Sequence, residues 1–339
     1  MIYRFQAETL TPLVIAGADP KSPKVIAEGL RPPSLRGAMR WWFRAMMGGI
    51  VGADNNYKTL RDLEGEAFGS TTASAAWQVR TRPSSAVTPQ TAHLRMNDPT
   101  PIHKGKRTLR PARDAIGPGV KFKVELSFAR ADAVPLVLPS LWLFSMLGGL
   151  GNRARRGFGS LALTPEDEQT KEAVRKLELE FSYPDKPLKD IKDTLEAHLK
   201  KVHGYFTGYA PTISSPPQAQ FPVLSKAQAK LWLIAPKGGF WASWQEAMGP
   251  QQARGGLRDH IYRAYKTIQG LDAIGCAKPR LASPLTIQIK RTGQDKYLGV
   301  ILAFDDTKSG SFYFGPTWAV LDGFLKGLSA YEVCEVALP

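Results

Sequence analysis

Arg36, Arg40 and Arg44 fall four residues apart in the segment Arg31-Pro-Pro-Ser-Leu-Arg-Gly-Ala-Met-Arg-Trp-Trp-Phe-Arg44. On a helix that spacing lines three guanidinium groups along one ridge. Each group is a planar fork of donors that matches a phosphate. The chemistry on offer is recognition of successive anions rather than bond making. No acid stands between Glu28 and Asp54 to pair with these arginines locally. Trp41 lies beside the ridge and away from the apolar face. The plainer alternative is the solvated face of an amphipathic helix.

A second segment, Gly149-Leu-Gly-Asn-Arg-Ala-Arg-Arg-Gly-Phe-Gly159, holds Arg153, Arg155 and Arg156 among five glycines in the twelve residues 148–159. Glycine permits positive φ and close backbone approach. Such a loop, Gly151 included, can aim backbone N–H groups and arginines at a phosphate together. It is not a P-loop, because no Gly-Lys-Ser/Thr follows. The alternative is a tight, exposed turn.

Residues 80–113 carry eight Lys/Arg, five prolines and one acid, Asp98, and read as an irregular basic insertion. Lys104, Arg107 and Arg110 would form an arm that orders on RNA, or a disordered excursion; both readings stand. Arg280, in Lys278-Pro-Arg-Leu-Ala-Ser-Pro284, sits at a loop edge, with Lys290, Arg291 and Lys296 beyond it. Binding and structural roles are equally open there. His93 and His103 could serve as general bases for RNA cleavage. No carboxylate cluster offers a two-metal site, so no enzyme, metal or cofactor is expected.

The positioning elements are legible from periodicity. Ile2–Leu10 alternates as a strand, and residues 120–128 alternate more strongly, with Phe122, Val124, Leu126 and Phe128 on one face. Residues 34–47 predict a helix capped by Ser34 and stopped by Gly48, with Leu35, Met39, Trp42 and Met46 buried. The uncharged stretch 133–150 is broken by Pro135 and Pro139. It reads as a buried strand or turn before a short core helix at 141–147, not a membrane span. Thr164-Pro165-Glu166-Asp167 looks like a helix start. Leu188 to Val202 makes a helical stripe closed by Gly204. Helical patterns recur at 243–248 and 257–271, and strands at 284–291 and 297–304. Interleaved helices and alternating strands imply an α+β fold with antiparallel sheets, in two domains at 1–160 and 161–339.

The composition points the same way. The 339 residues carry a net charge of +15, with 23 Lys+Arg against 11 Asp+Glu in residues 1–160 and 22 against 19 beyond. A polyanion should bind mainly to the first half. Two distant cysteines, Cys276 and Cys334, indicate neither a disulfide framework nor a zinc site and fit a reducing cytosol. With no secretory signal visible, a cytoplasmic location is expected.

Gly149-Leu150-Gly151, five residues with three arginines, then Gly157-Phe158-Gly159, resemble the glycine-rich loop of the RAMP superfamily of CRISPR-associated proteins. Thr11-Pro12-Leu13, Ala16-Gly17-Ala18-Asp19-Pro20 and Leu30–Arg44 resemble the N-terminal signature of a family within it, the first subunits of the type III-B Cmr effector complex. Arg280-Leu-Ala-Ser-Pro-Leu285 is similar to a segment of that family's second half. The resemblance implies two ferredoxin-like (RRM-like) domains and a non-catalytic subunit near the guide RNA 3′ end. Its partners would be guide RNA (crRNA), target RNA and other RAMP subunits of the Cmr complex, with no membrane. It places Arg31, Arg36, Arg40, Arg44 and the Arg153–Arg156 loop on the RNA-facing surface. No stacking aromatics mark the central strands, so backbone contact is expected rather than base readout. The enzymatic alternative is a metal-independent RAMP endoribonuclease that processes precursor guide RNA.

Overall fold

The computed structural model describes residues 1–15, 29–87, 89–93, 112–249, 257, 285–304, 325, 327–329 and 331–339, with only the backbone at 91–93 and 112–113. The first unit runs β1 (Ile2–Thr9), α1 (Pro32–Val51), α2 (Lys58–Phe68), β2 (Trp77–Pro83), β3 (Pro89–His93), β4 (Ala112–Ile116), β5 (Lys121–Phe128), α3 (Val134–Leu147) and β6 (Leu161–Pro165). Its sheet is antiparallel in the order β2-β5-β1-β6. With the β3–β4 hairpin set aside as an insertion, this is the β-α-β-β-α-β succession of a ferredoxin-like unit.

Two helices follow, α4 (Glu168–Lys176) and α5 (Leu188–Tyr209). The second sheet is built from β7 (Ala229–Pro236), β8 (Leu285–Gly293), β9 (Lys296–Phe304) and β10 (Tyr331–Val336), in the order β10-β7-β9-β8. Numbered within each sheet, both read fourth-first-third-second. The short helix α6 (Trp244–Met248) lies between β7 and β8.

Strand alternation builds the first core. Phe5 and Ala7 of β1 and Phe122, Val124 and Leu126 of β5 point inward, against Leu35, Met39, Trp42 and Met46 of α1. Burying each large side chain contributes about 1.5–3 kcal/mol. The α1 face is the one its spacing predicts.

The element ends differ in instructive ways. β6 pairs with β1, so the first sheet takes its last strand from beyond residue 160. Helix α1 starts at Pro32 without a side-chain cap and passes through Gly48 to stop at Gly52. Gly48 is a packing glycine: a Cβ there would stand 2.6 Å from the Phe221 ring. Thr164 and Pro165 close β6, and the cap of α4 is Asp167, which accepts from the Thr170 N–H at 2.8 Å. Helix α3 is continuous from Val134, with Pro135 in its first turn and Pro139 inside. Helix α5 runs past Gly204 because Phe206 adds another buried anchor. Part of the expected irregular insertion is ordered: β3 and β4 pair as a hairpin. Residues 94–111 and most of 257–271 lie outside the described residues.

The two sheets meet at β8. Arg291 grips Glu8 of β1 with two bonds, at 2.8 and 3.0 Å. Beside it, Lys290 is buried and donates from Nζ to the carbonyls of Ser145 at 2.5 Å, Gly148 at 2.8 Å and Leu161 at 3.5 Å. This lysine ties the end of α3 and the start of β6 to the second sheet. Burial pushes its ammonium down to about 7.

Replacing Lys290 with Met orphans buried carbonyls and should cost about 2–4 kcal/mol in urea unfolding. The folded pKa lies below the unfolded one, so the native state holds fewer protons between about 7 and 10.5. Wild-type stability should therefore rise relative to K290M by about 1 kcal/mol per pH unit from roughly pH 7 to 9. Parallel pH profiles of the two proteins would contradict this.

Candidate nucleic-acid interface

Helix α1 presents its arginine ridge to α2. Arg40 Nε donates to Glu64 at 2.7 Å, and Arg44 donates to both Glu64 oxygens, from Nε at 2.5 Å and from Nη2 at 2.7 Å. Glu64 is buried, its side chain 7% exposed, whereas those of Arg40 and Arg44 are 36% and 46% exposed. Burial alone would raise the Glu64 carboxyl, but the bonds from Arg44 and Arg40 hold it below the ordinary range. The same bonds raise Arg44. Arg36 caps the Phe68 carbonyl and lies over the Trp77 ring, 5.6 Å from its centroid. Burial lowers its pKa, and the neighbouring Arg40 lowers it further.

The expectation that the ridge lacks an acidic partner is therefore corrected. The carboxylate comes from the next helix, twenty residues beyond Arg44. Two guanidiniums share one carboxylate and the third is held by a carbonyl, so the ridge keeps a net positive charge with its side chains fixed in place. Arg31 supplies the α1 N-cap backbone, its carbonyl accepting from Ser34 and Leu35.

The glycine loop between α3 and β6 is folded against the edge of β8. Gly157 N–H donates to Ile287 at 2.9 Å, and Ile287 N–H donates back to Arg155 at 3.1 Å. The Ser160 hydroxyl donates to Gln288 Oε1 at 2.7 Å, and Gln288 Nε2 donates to the Ala154 carbonyl. Leu150 N–H goes to Gly159, Asn152 N–H to Val14 and Gly159 N–H to Pro12. Gly151 and Gly159 take φ of +85° and +66°. A Cβ would stand 2.4 Å from the Val14 oxygen at Gly151 and 1.8 Å from the Leu150 oxygen at Gly159. The expected phosphate cradle of backbone N–H groups is corrected at Leu150, Asn152, Gly157 and Gly159, whose N–H groups close the loop on the protein itself. What the loop presents outward is side chains: Arg153 and Arg155 are exposed and Arg156 is half-buried.

The two motifs meet at a cavity of about 200 Å³ lined by Ala38, Trp41 and Trp42 of α1, Gly148, Gly149, Ala154 and Arg155 of the loop, and Thr286 and Gln288 of β8. Trp41 is half-buried rather than standing clear of the core. Its ring meets Trp42 at 4.9 Å and Phe304 at 5.6 Å, edge-on in both cases. Gly37, one turn before Trp41, has nothing within 4 Å of where a Cβ would be. A flat ligand can therefore approach this face of α1 closely. The cavity combines an indole wall, a guanidinium at the rim and the Thr286 hydroxyl. It suits a planar, anionic-tailed ligand.

The remaining candidates are placed elsewhere. Lys104, Arg107, Arg110, Arg280 and His103, and the side chain of His93, lie outside the described residues. The outward positions of β1 and β5 hold Arg4, Gln6, Glu8, Lys121, Lys123, Glu125 and Ser127, without an aromatic, as the sequence indicates. Among the described residues no group of three or more His, Cys, Asp or Glu could hold a metal ion, and no helix is long and apolar enough to cross a membrane. Glu64 and Gln288 escaped sequence reasoning as parts of the site, since each acts on partners far away in the chain.

Residues 6–162 match the family model of the RAMP superfamily. The chain is 33% identical over 179 residues to the CRISPR system Cmr subunit Cmr1-2 of Pyrococcus furiosus, covering 46% of this chain and 92% of that protein. It is 28% identical over 292 residues to Cmr1-1 of the same organism, 82% of this chain and 81% of the other. The crystal structure of apo Cmr1 from Pyrococcus furiosus superposes with a TM-score of 0.62 at 22% identity, over 99% and 98% of the two chains. A chain of a type III-B Cmr-β structure bound to cognate target RNA superposes with a TM-score of 0.57 at 10% identity, over 97% and 99%. The chain belongs to the RAMP superfamily, and within it to the Cmr1 family of CRISPR Cmr subunits.

Two substitutions test this construction. Gly159→Ala adds a methyl where φ is positive and a carbonyl is already in contact. It should cost at least about 2 kcal/mol in urea unfolding. A loss under about 0.5 kcal/mol would mean that the loop is not locked as described. Glu64→Gln should cost about 1–2 kcal/mol at pH 7, discounted for the half-exposed arginines. Because the folded carboxyl sits below its unfolded value of 4.5, this stabilisation is full above 4.5 and lost as pH falls through the folded value. Wild type and variant should therefore converge in acid; a gap that persists there would refute the assignment.

Proposed function

We propose that this chain is a non-catalytic RNA-binding subunit of a type III-B CRISPR (Cmr) effector complex. It contacts guide RNA, target RNA or both near the guide 3′ end, beside other RAMP subunits. Membership of the Cmr1 family supports the complex. The observation that carries the RNA contact is the meeting of Trp41 and Arg155, from two separate motifs, at one cavity.

The division of labour follows from the chemistry. The Trp41 indole offers a face for a base, and stacking of this kind tolerates any base because each has a π-face. Arg155 at the rim, with Arg153 and Arg156 on the same loop, meets the phosphates on that side. Arg40 and Arg44 on the neighbouring face of α1 carry a charge that Glu64 only partly neutralises. Fixing these side chains in advance lowers the ordering cost of binding. Nothing in this contact reads sequence, which is the behaviour needed of a subunit that holds guides of any spacer.

In a filter-binding titration with single-stranded RNA, Trp41→Ala should weaken binding by roughly 5- to 100-fold with little change in salt dependence, as the loss of one stacked base predicts. Trp41→Phe should restore most of it. Arg155→Gln should instead flatten the slope of log K against log salt by about 0.7, one phosphate contact. Unchanged affinity in Trp41→Ala, with an unchanged melting temperature, would overturn the cavity's role.

A further inference from the structure

The outer face of the first sheet carries a second concentration of charge, away from the cavity. Strands β2 and β5 place Arg80, Arg82, Lys121 and Lys123 side by side, all exposed. The register sets Arg82 directly opposite Lys123. Like charges directly opposite on one sheet face are destabilising. Both acids that face the strip are already occupied: Glu125, opposite Arg80, accepts from Arg4 at 3.2 Å, and Glu8, opposite Lys121, accepts from Arg291 at 2.8 and 3.0 Å. Arg80, Arg82 and Lys121 form no ion pair among the described residues, and Lys123 reaches Glu166 only at 3.9 Å.

Elsewhere in the chain several cations are held by acids. Arg4, Arg40, Arg44, Arg175, Arg291 and Lys296 all have carboxylates within about hydrogen-bonding reach. A repulsive strip in which Lys123 alone reaches a carboxylate, at 3.9 Å, is a standing cost that an anion would remove.

We propose that this strip is a second RNA contact, which binds the phosphodiester backbone of a single strand. The inference rests on the chain being an RNA-binding subunit and adds a surface to that reading. Residues two apart on a strand stand about 6.7 Å from each other, and neighbouring strands about 4.8 Å. Arg80 with Arg82, and Lys121 with Lys123, therefore form two short rows spaced like successive phosphates of an extended strand. The surrounding outward side chains are Gln78, Ser127 and, on β1, Arg4, Gln6 and Glu8. They supply no aromatic for a base to stack on, and no apolar centre of the kind a protein partner buries. The strip offers charge and hydrogen bonds, which is what a backbone takes. β2 and β6 are the two edges of this sheet, and the glycine loop leads into β6. The strip is thus distinct from the cavity, and the base of the β3–β4 hairpin rises beside it, where Ser84 N–H donates to the Lys121 carbonyl at 2.9 Å.

The test uses the full chain carrying Arg80→Gln, Arg82→Gln and Lys121→Gln together, titrated with oligouridylate RNA across a salt series. Affinity at low salt should fall by about ten-fold or more, and the log–log salt slope should flatten by about 2, three contacts at roughly 0.7 each. The melting temperature should stay level or rise, because repulsion is relieved. Wild-type affinity and slope in the triple variant would overturn the strip. So would tight binding of poly-glutamate that is lost in the variant while RNA binding persists, which would assign the strip to an acidic protein. Failure of the cavity reading looks different: Trp41→Ala and Arg155→Gln leave RNA binding intact while the triple variant still loses it. A wild-type chain that binds no RNA overturns both.

Discussion

The outer edge of a β-strand presents unpaired N–H and C=O groups that must be covered, and in this chain the glycine loop covers β8. β8 ends the second sheet, and its ladder is continued on that side by the backbone of residues 155–157. The side chains along this seam are polar, buried and mutually satisfied: Ser160 with Gln288, Lys290 with three carbonyls, Glu8 with Arg291. An unmet partner in such a seam costs more than the bond itself is worth. Loop and strand therefore hold each other in one register. Five glycines are required because the chain must turn sharply while two of its residues lie against carbonyls at positive φ.

The cavity proposed for RNA depends on that register. It fixes the outward direction of Arg153 and Arg155, and it brings Arg155 and Thr286 up to Trp41 to close the cavity. Helix α1 contributes from the other side. Its apolar stripe is anchored on the first sheet, so its exposed face, with Arg40, Gly37, Arg44 and Trp41, cannot rotate away. Glu64 holds two of those arginines without cancelling them. The result is a basic surface whose parts are ordered before ligand arrives.

Local pattern was legible in the sequence, and distant partnership was not. The buried stripe of α1 and the alternation of β1 and β5 follow from periods of 3.6 and 2. The glycine loop was visible as a place of special backbone and strong charge. Not legible were the acceptors of the Asn152, Gly157 and Gly159 N–H groups, which are the carbonyls of Val14, Ile287 and Pro12. Glycines at 48 and 204 resemble helix stops, yet both helices run on and bury Val51 and Phe206 beyond them. Glu64 lies outside any window in which Arg40 and Arg44 would be judged unpaired. The role of Lys290 stayed open in the sequence because β8 is buried on both faces, which alternation does not announce.

The central claim is that RNA contact is concentrated where the glycine loop meets α1. Photo-crosslinking of the full chain to single-stranded RNA carrying 4-thiouridine, followed by peptide mapping, tests it directly. The account predicts crosslinks at Trp41 and at residues 153–156. Crosslinks confined to α4, α5 or the second sheet, with those peptides recovered unmodified, would contradict it.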